Sequence, residues 1–379
     1  MPGHMNPGRI GSAGLIAITG LLLLGLPLLG AYLAGLPLDR YLEFPPRTLY
    51  VDHAPFSWVA FGILGSVALV LYGVLIWLVW PRGPSVQRGK TETARRFPWW
   101  GWLAVGLVAG FWFLAWTRLP AFRHLQPYTF TPLWLSYVLF VNALTWWRSG
   151  RSLLTHRTGF FLSLFPLSAL FWWYFEYLNR FVQNWHYVGI ASFGPLQYTV
   201  HATLAFSTVL PAVSSTVDWL ATFPRLGNVR IHPLRMRVHG KTAARILLMV
   251  SMAALGGLGV WPDALFPLVW VAPLLLIVSL QVLAGQPTAF APVAQGHWRV
   301  VSLPMLAALL CGFLWEMWNQ YSQARWVYMI PYVQRFELFE MPLLGYVGYL
   351  PFGLECMAIV GLLENGRRWA REISLTKEN

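Results

Sequence analysis

The sequence predicts an all-α, polytopic membrane protein of about ten transmembrane helices, two at the N-terminus followed by a duplicated four-helix unit in parallel orientation. Three observations carry this. Apolar residues make up 57% of the chain and charged residues 11%, against roughly 45–50% and 25% in soluble domains, so the bilayer is the solvent. Apolar stretches long enough to cross it, which takes about 20 residues in a helix, recur along the chain. The pattern Glu176-x-x-Asn179-x5-Trp185-x-Tyr187 returns as Glu316-x-x-Asn319-x6-Trp326-x-Tyr328, each time where an apolar helix runs out into a polar loop.

Residues 1–96 hold two spans, near 11–36 and 57–80, joined by a Pro-rich outer loop. The first runs about 26 residues, longer than a signal h-region of roughly 7–15, and lacks an A-x-A site, so it reads as a helix. The first unit, 97–239, has spans near 99–117, 131–147, 158–178 and 198–220. The second, 240–365, has spans near 243–260, 264–285, 300–320 and 343–363, and 366–379 is a cytoplasmic tail. Further echoes keep the same order: Phe130 to Leu135 with Phe266 to Val271, Pro166 with Pro304, and Pro195 to Tyr198 with Pro342 to Tyr346. Chance similarity between Trp-rich helices explains any one of them, and the shared order favours duplication. An even number of spans per unit sets the pseudo-symmetry axis along the membrane normal. Continuous rather than alternating apolarity argues against a β-barrel.

The net charge of +13 is a topology signal. Basic residues concentrate in alternate connections: around 82–96, 148–157, 225–245 and 367–377. The positive-inside rule then places both termini in the cytoplasm of a cell with the chain in its inner membrane. No soluble stretch is long enough for a nucleic-acid-binding domain, so nucleic acid is excluded and anionic lipid headgroups are the expected partners of these loops. Cys311 and Cys356 lie within apolar spans and read as packing residues, with no disulfide framework and no metal site.

The acids then sort to one face. Asp39, Glu43, Asp52, Glu176, Asp263, Glu316, Glu337 and Glu340 all fall at or beyond outer helix ends. Glu176 lies about 27 Å up its helix from Thr158 at 1.5 Å per residue, near the outer edge of a roughly 30 Å hydrocarbon core, and Glu316 matches it. Glu and Asn three apart share a helix face, so Glu176, Asn179, Glu316 and Asn319 are expected to line a cavity toward the outer leaflet, with the carboxyls catalytic. The alternative is interfacial hydrogen bonding to neighbouring helices. Trp185, Tyr187, Trp326 and Tyr328 are candidate substrate contacts, although an aromatic belt made with Trp172, Trp173, Trp315 and Trp318 is the plainer reading of the tryptophans. Glu355, about 18 Å deep in the last span, is a candidate buried proton donor, with a protonated carboxyl bonded to a backbone carbonyl as the competing account. His201, early in the sixth span, and His186 are further titrating candidates. The stiff segment from Asp39 through Pro45-Pro46 to Phe56 reads as an ordered cap over the cavity. Asp52 and His53 within it form a candidate acid–base pair or, more simply, a solvated turn. Arg180 and Arg325 flank the motifs as candidate grips for an anionic headgroup.

Walker, G-x-G-x-x-G, G-x-S-x-G, H-E-x-x-H and paired D-x-x-x-D signatures are absent, and no histidine pair has haem-ligand spacing, so the cofactor is left unknown. The run Trp315 to Asn319, Arg325-Trp326-Val327-Tyr328, Pro342 and Glu355 resembles the paired-helix pattern of the membrane carotenoid enzymes, the lycopene cyclase domain and the carotenoid hydratases. The cyclase signature P-x-E-E is missing, Glu337 to Pro342 standing in its place, so no catalytic residue is carried over. What the resemblance implies is a substrate class, an isoprenoid or other lipid-soluble molecule. Acid–base chemistry on such a lipophilic substrate is the first expectation. A lipid or small-molecule transporter is the second, disfavoured by polar groups at one face rather than the midplane. A structural subunit of a larger membrane complex, with protein partners in the membrane, is the third.

Overall fold

The computed structural model describes residues 12–46, 49–80, 95–227 and 240–363. Its long helices are α1 (Ser12–Leu33), α2 (Trp58–Val79), α3 (Trp99–Trp116), α4 (Phe130–Ser149), α5 (Thr158–Val182), α6 (Pro195–Phe206), α7 (Val209–Ala221), α8 (Lys241–Leu258), α9 (Ala272–Leu283), α10 (Arg299–Gln320) and α11 (Tyr349–Leu363). Eight described helices are long and apolar enough to cross a membrane, or nine if the pair 262–270 and α9, bent by 54°, is counted as one span. The protein is therefore an all-α membrane protein. The tail and most of the basic residues at 82–96 and 228–239 lie outside the described residues, as does the N-terminus.

Three expected spans differ in detail. Helix α4 is long enough to cross but carries Ser136, Asn142, Thr145 and Arg148, and these polar groups are bonded inside the protein rather than offered to lipid. Asn142 donates to Val138 O and to Ser215 Oγ, each at 2.9 Å, and accepts from Leu154 N at 3.0 Å. The sixth span breaks at Ser207–Thr208 between α6 and α7, where the Ser168 hydroxyl on α5 donates to Phe206 O and accepts from Leu210 N. The eighth is the bent pair, with Pro262 and Pro273 at its two helix starts.

Packing places α7, α10 and α11 at the centre, with α3 against α4, α8 against α9, and α1 laid on α8. Helix α2 is peripheral, only 11% of its span buried, against 61% for α10. Helices α10 and α11 approach at Gly353, where an added Cβ would sit 2.1 Å from Pro304 O, so no larger residue fits. The interior is rich in aromatic rings: Trp134, Phe175 and Phe352 are each 1% exposed or less.

The connections after α1, α3, α5, α8 and α10 gather at one end of the bundle. His53 Nδ1 lies 2.7 Å from Asp263 Oδ1 and its Nε2 3.1 Å from Gln183 O, Arg118 donates to Tyr321 O, and Ser57 N donates to Tyr332 O. At this end two short strands, β1 (Trp185–Val188) and β2 (Arg325–Tyr328), pair antiparallel, with Trp185 opposite Tyr328 and Tyr187 opposite Trp326.

A candidate site behind an aromatic wall

Both motifs end a helix and turn the chain back over it. Helix α5 stops at Gln183, whose φ of 48° leaves the helical region. Asn179, one turn earlier, then holds the returning chain: its Nδ2 donates to Trp185 O at 2.8 Å, and its Oδ1 accepts from Asn184 N at 2.8 Å and Trp185 N at 3.3 Å. Asn319 does the same on α10, donating to Trp326 O at 2.7 Å and accepting from Trp326 N at 3.0 Å. The asparagines were expected to line the cavity but are not among the lining residues of the one described below. They fix the start of each strand, and the amide is the side chain for this because it donates and accepts at once.

Strand alternation puts Trp185, Tyr187, Trp326 and Tyr328 on one face of the ribbon, with His186 and Val327 on the other. All four aromatics line a cavity of about 950 Å³ counting its open mouth, together with Trp172, Trp270, Trp315, Tyr349, Tyr198 and His201. The ribbon closes tightly at Gly189, where φ is 75° and an added Cβ would meet Gln323 O at 1.9 Å.

The two glutamates stand behind this wall, each fully buried. Glu176 Oε1 accepts from Tyr187 OH at 2.6 Å, Trp185 Nε1 at 3.1 Å and Trp172 Nε1 at 3.2 Å. Glu316 Oε1 accepts from Tyr349 OH at 2.6 Å and Tyr328 OH at 2.8 Å, while Trp326 Nε1 donates to the Tyr328 hydroxyl at 2.9 Å. Every one of these donors lines the cavity, and the second carboxyl oxygen, Oε2, has no partner in either case. Burial, and then the adjacent carboxyl, holds the Tyr187 and Tyr328 phenols well above the usual tyrosine range, so both remain donors. The arrangement is a buried carboxyl one hydrogen bond removed from an aromatic cavity, twice over.

Cross-packing ties the halves together. Trp134 lies on Trp315, the residue before Glu316, with ring centres 4.9 Å apart. Trp270 lies on Phe175, the residue before Glu176, at 5.0 Å. Phe352 fills the space between, 5.9 Å from Trp172 and 6.3 Å from Trp315.

The tryptophans expected to form an interfacial belt do something else. Trp172, Trp185, Trp315 and Trp326 line the cavity, Trp173 Nε1 donates to Thr203 Oγ1, and Trp318 packs on Trp134 at 5.0 Å. His201 also lines the cavity, edge-on to Tyr128 at 5.0 Å and Phe193 at 5.6 Å. Glu355 is fully buried but is not a lining residue. Asp52 is not the partner of His53, which pairs with Asp263; the segment from Asp39 does cap this end, with Tyr41 stacked on Phe181 at 4.3 Å and Tyr50 edge-on to His186 at 6.0 Å. Arg180 is turned onto Tyr41 O, and Arg325 Nε sits 3.4 Å from Glu340 Oε1, so both grips expected for a headgroup already have partners. Tyr349, Trp270 and Tyr198 were not singled out as site residues; Trp270 and Tyr198 fall in the echoes read as signs of duplication, and nothing in the sequence pointed to Tyr349. No group of three or more metal-ligating side chains comes together among the described residues.

Compared with known proteins, the chain matches no family model, no curated protein and no solved structure.

Proposed function

We propose that this chain is a membrane enzyme of the inner membrane that holds a lipid-soluble substrate, isoprenoid or of similar unsaturated character, in the aromatic cavity and exchanges protons with it through Glu176 and Glu316. The observation that carries the reading is the pair of fully buried carboxyls whose hydrogen-bond donors all face the same cavity. Carboxyls placed so deep in a membrane protein serve partners or chemistry rather than lipid contact. An apolar chamber walled by indoles and phenols suits an elongated apolar molecule, and its ring faces favour any positive charge that develops on it.

The same reading takes the chain as ten spans built from two parallel units, 97–239 and 240–365, with the site at their junction. It is supported by the equivalent places of Glu176 and Glu316, by the ribbon in which each Trp opposes the other copy's Tyr, and by the reciprocal packing of Trp134 and Trp270. With both termini cytoplasmic, as the basic loops indicate, the cavity faces the outer leaflet.

The test is mass spectrometry of lipid extracts from membranes carrying the wild-type chain, Glu176→Gln or Glu316→Gln. A lipid product seen only with the wild type, at equal yield of folded protein, is the expected result. Two silent variants would remove the acid–base reading and leave a lipid-binding or structural subunit.

A further inference from the structure

Both arginines expected to grip a headgroup are engaged, but a third at the same end of the bundle is not. Arg335 is exposed, and among the described residues no carboxylate pairs with it. The two acids that follow it are committed elsewhere: Glu337 Oε1 accepts from Gln334 Nε2 at 2.8 Å, and Glu340 Oε1 lies 3.4 Å from Arg325 Nε. The guanidinium instead stands over aromatic rings, its Cζ 4.7 Å from the centre of Phe56 and 5.8 Å from that of Trp58. Phe61 and Phe336 extend this platform, Phe61 lying 5.7 Å from Phe56 and 5.6 Å from Phe336.

The backbone builds the platform. Ser57 N donates to Tyr332 O at 2.9 Å and Tyr332 N to Ala54 O at 3.2 Å, which ties the chain before α2 to the segment carrying Arg335. In that segment Tyr332 and Phe336 have φ of 63° and 56°, a left-handed conformation that bulky residues avoid. Strain of this kind persists where surrounding contacts over-determine it, and it clusters at ligand clamps. It leaves Phe336 beside Trp58, ring centres 6.2 Å apart, with 64% of Trp58 and 52% of Phe336 exposed.

Trp58 is the first residue of α2, a 22-residue span, so the platform sits where hydrocarbon gives way to headgroups. Indole rings favour that level, being apolar in body and polar at one edge. Further along, α2 exposes Val59, Ile63, Val67 and Val70, the spacing of one helix face. A guanidinium over a ring keeps its in-plane N–H edge free, and that edge matches two oxygens of a phosphate.

We propose that Arg335 and the platform of Phe56 and Trp58 form a binding site for one phospholipid of the leaflet at this end of the bundle. Its phosphate lies on the guanidinium, its glycerol region against Trp58, and an acyl chain along α2. A lipid fits better than a protein because a free cation, an interfacial indole and an apolar stripe follow one another in the order of a phospholipid's own parts. The site needs only that the chain is embedded in a membrane, and does not depend on its being an enzyme.

Photolabelling tests it. A phosphatidylglycerol with a diazirine in one acyl chain, added to membranes carrying the full chain, is expected to label the α2 peptide. Arg335→Gln should lower that labelling roughly tenfold, the worth of a charged hydrogen-bonded contact. Arg335→Lys, which keeps the charge but not the planar fork, should fall between, and Trp58→Leu should also lower labelling. A diacylglycerol with the same diazirine chain and no phosphate should label α2 weakly, and equally in wild type and Arg335→Gln. Equal labelling by the two probes, or by phosphatidylglycerol in wild type and Arg335→Gln, would overturn the site and reduce it to general lipid contact. Labelling of the purified, reconstituted chain that is lost in native membranes would also overturn it, since a protein would then cover this face. Glu316→Gln should leave the labelling unchanged, which separates this site from the cavity whatever becomes of the acid–base reading.

Discussion

The Glu176 and Glu316 half-sites share their scaffold and differ in their donors. In both, an asparagine one turn after the glutamate ties down the strand, and in both a W-x-Y segment roofs the carboxyl. Glu176 is gripped by two indoles and one phenol, Glu316 by two phenols, because Trp326 is diverted onto the Tyr328 hydroxyl. An indole N–H donates and does nothing else, whereas a hydroxyl both donates and accepts and can relay a proton. What is held constant is therefore the geometry, and what varies is the number of phenols, one at Glu176 and two at Glu316. On the proposed reading Glu316 is the better connected of the two for exchanging a proton, and Glu176 the more rigidly held.

The largest effect should separate these roles. Glu316→Gln is expected to lower activity by roughly 10²–10⁴-fold, the usual range for loss of a general acid or base, and Tyr349→Phe to follow it in the same direction. Tyr187→Phe should cost less, because Glu176 keeps both indoles. Steady-state turnover of the lipid product checks this, and equal losses for Tyr187→Phe and Tyr349→Phe would show that the halves are chemically alike.

The stability of the wall comes next. Trp185 is 4% exposed while Trp326 is only partly buried, so Trp185→Ala should cost about 3–5 kcal/mol and Trp326→Ala distinctly less. Thermal unfolding in detergent decides it. Below that stand the clamps. Asn179 makes three bonds to the returning chain and Asn319 two, so Asn179→Ala should destabilise by about 2–3 kcal/mol and Asn319→Ala by about 1–2 kcal/mol. The reverse order would show that β2, not β1, anchors the ribbon.

Which parts of this were legible in the sequence follows from the range of the forces involved. Helix length and apolarity are local, so eight of the expected spans stand as helices long and apolar enough to cross; the breaks at Ser207–Thr208 and at 262–272 are tertiary accommodations that hydropathy averages away. Glu-x-x-Asn marked two helix ends, at Val182 and at Gln320. It could not show that the amide would be consumed by the backbone six or seven residues on, since that depends on the chain reversing at Gln183 and Tyr321. Trp-x-Tyr looks the same in a belt and in a strand. Only the pairing of 185–188 with 325–328, across a separation no local pattern records, turns those rings onto a common cavity. Glu355 was recognisable as buried by its depth in the last span alone.

The smallest predicted difference lies at the centre of the ribbon, where His186 stands opposite Val327. The first strand carries a titrating side chain at this position and the second an aliphatic one, so at this pair only the first strand can respond to acid. Burial lowers the imidazole from its ordinary value of 6.5, and its Nδ1 is buried without a partner beside the Tyr50 ring. The fold thus prefers the neutral ring, and as pH falls the unfolded chain takes up the proton first. The stability this histidine contributes is complete above 6.5, falls as pH drops through that value, and levels off once the folded ring is also protonated. Because the ring is partly solvated, water screens the effect and it should be smaller than any above. Unfolding midpoints measured on either side of this window should show a modest loss on the acid side that His186→Gln abolishes. An unchanged acid slope in that variant would remove pH from the list of differences between the two strands.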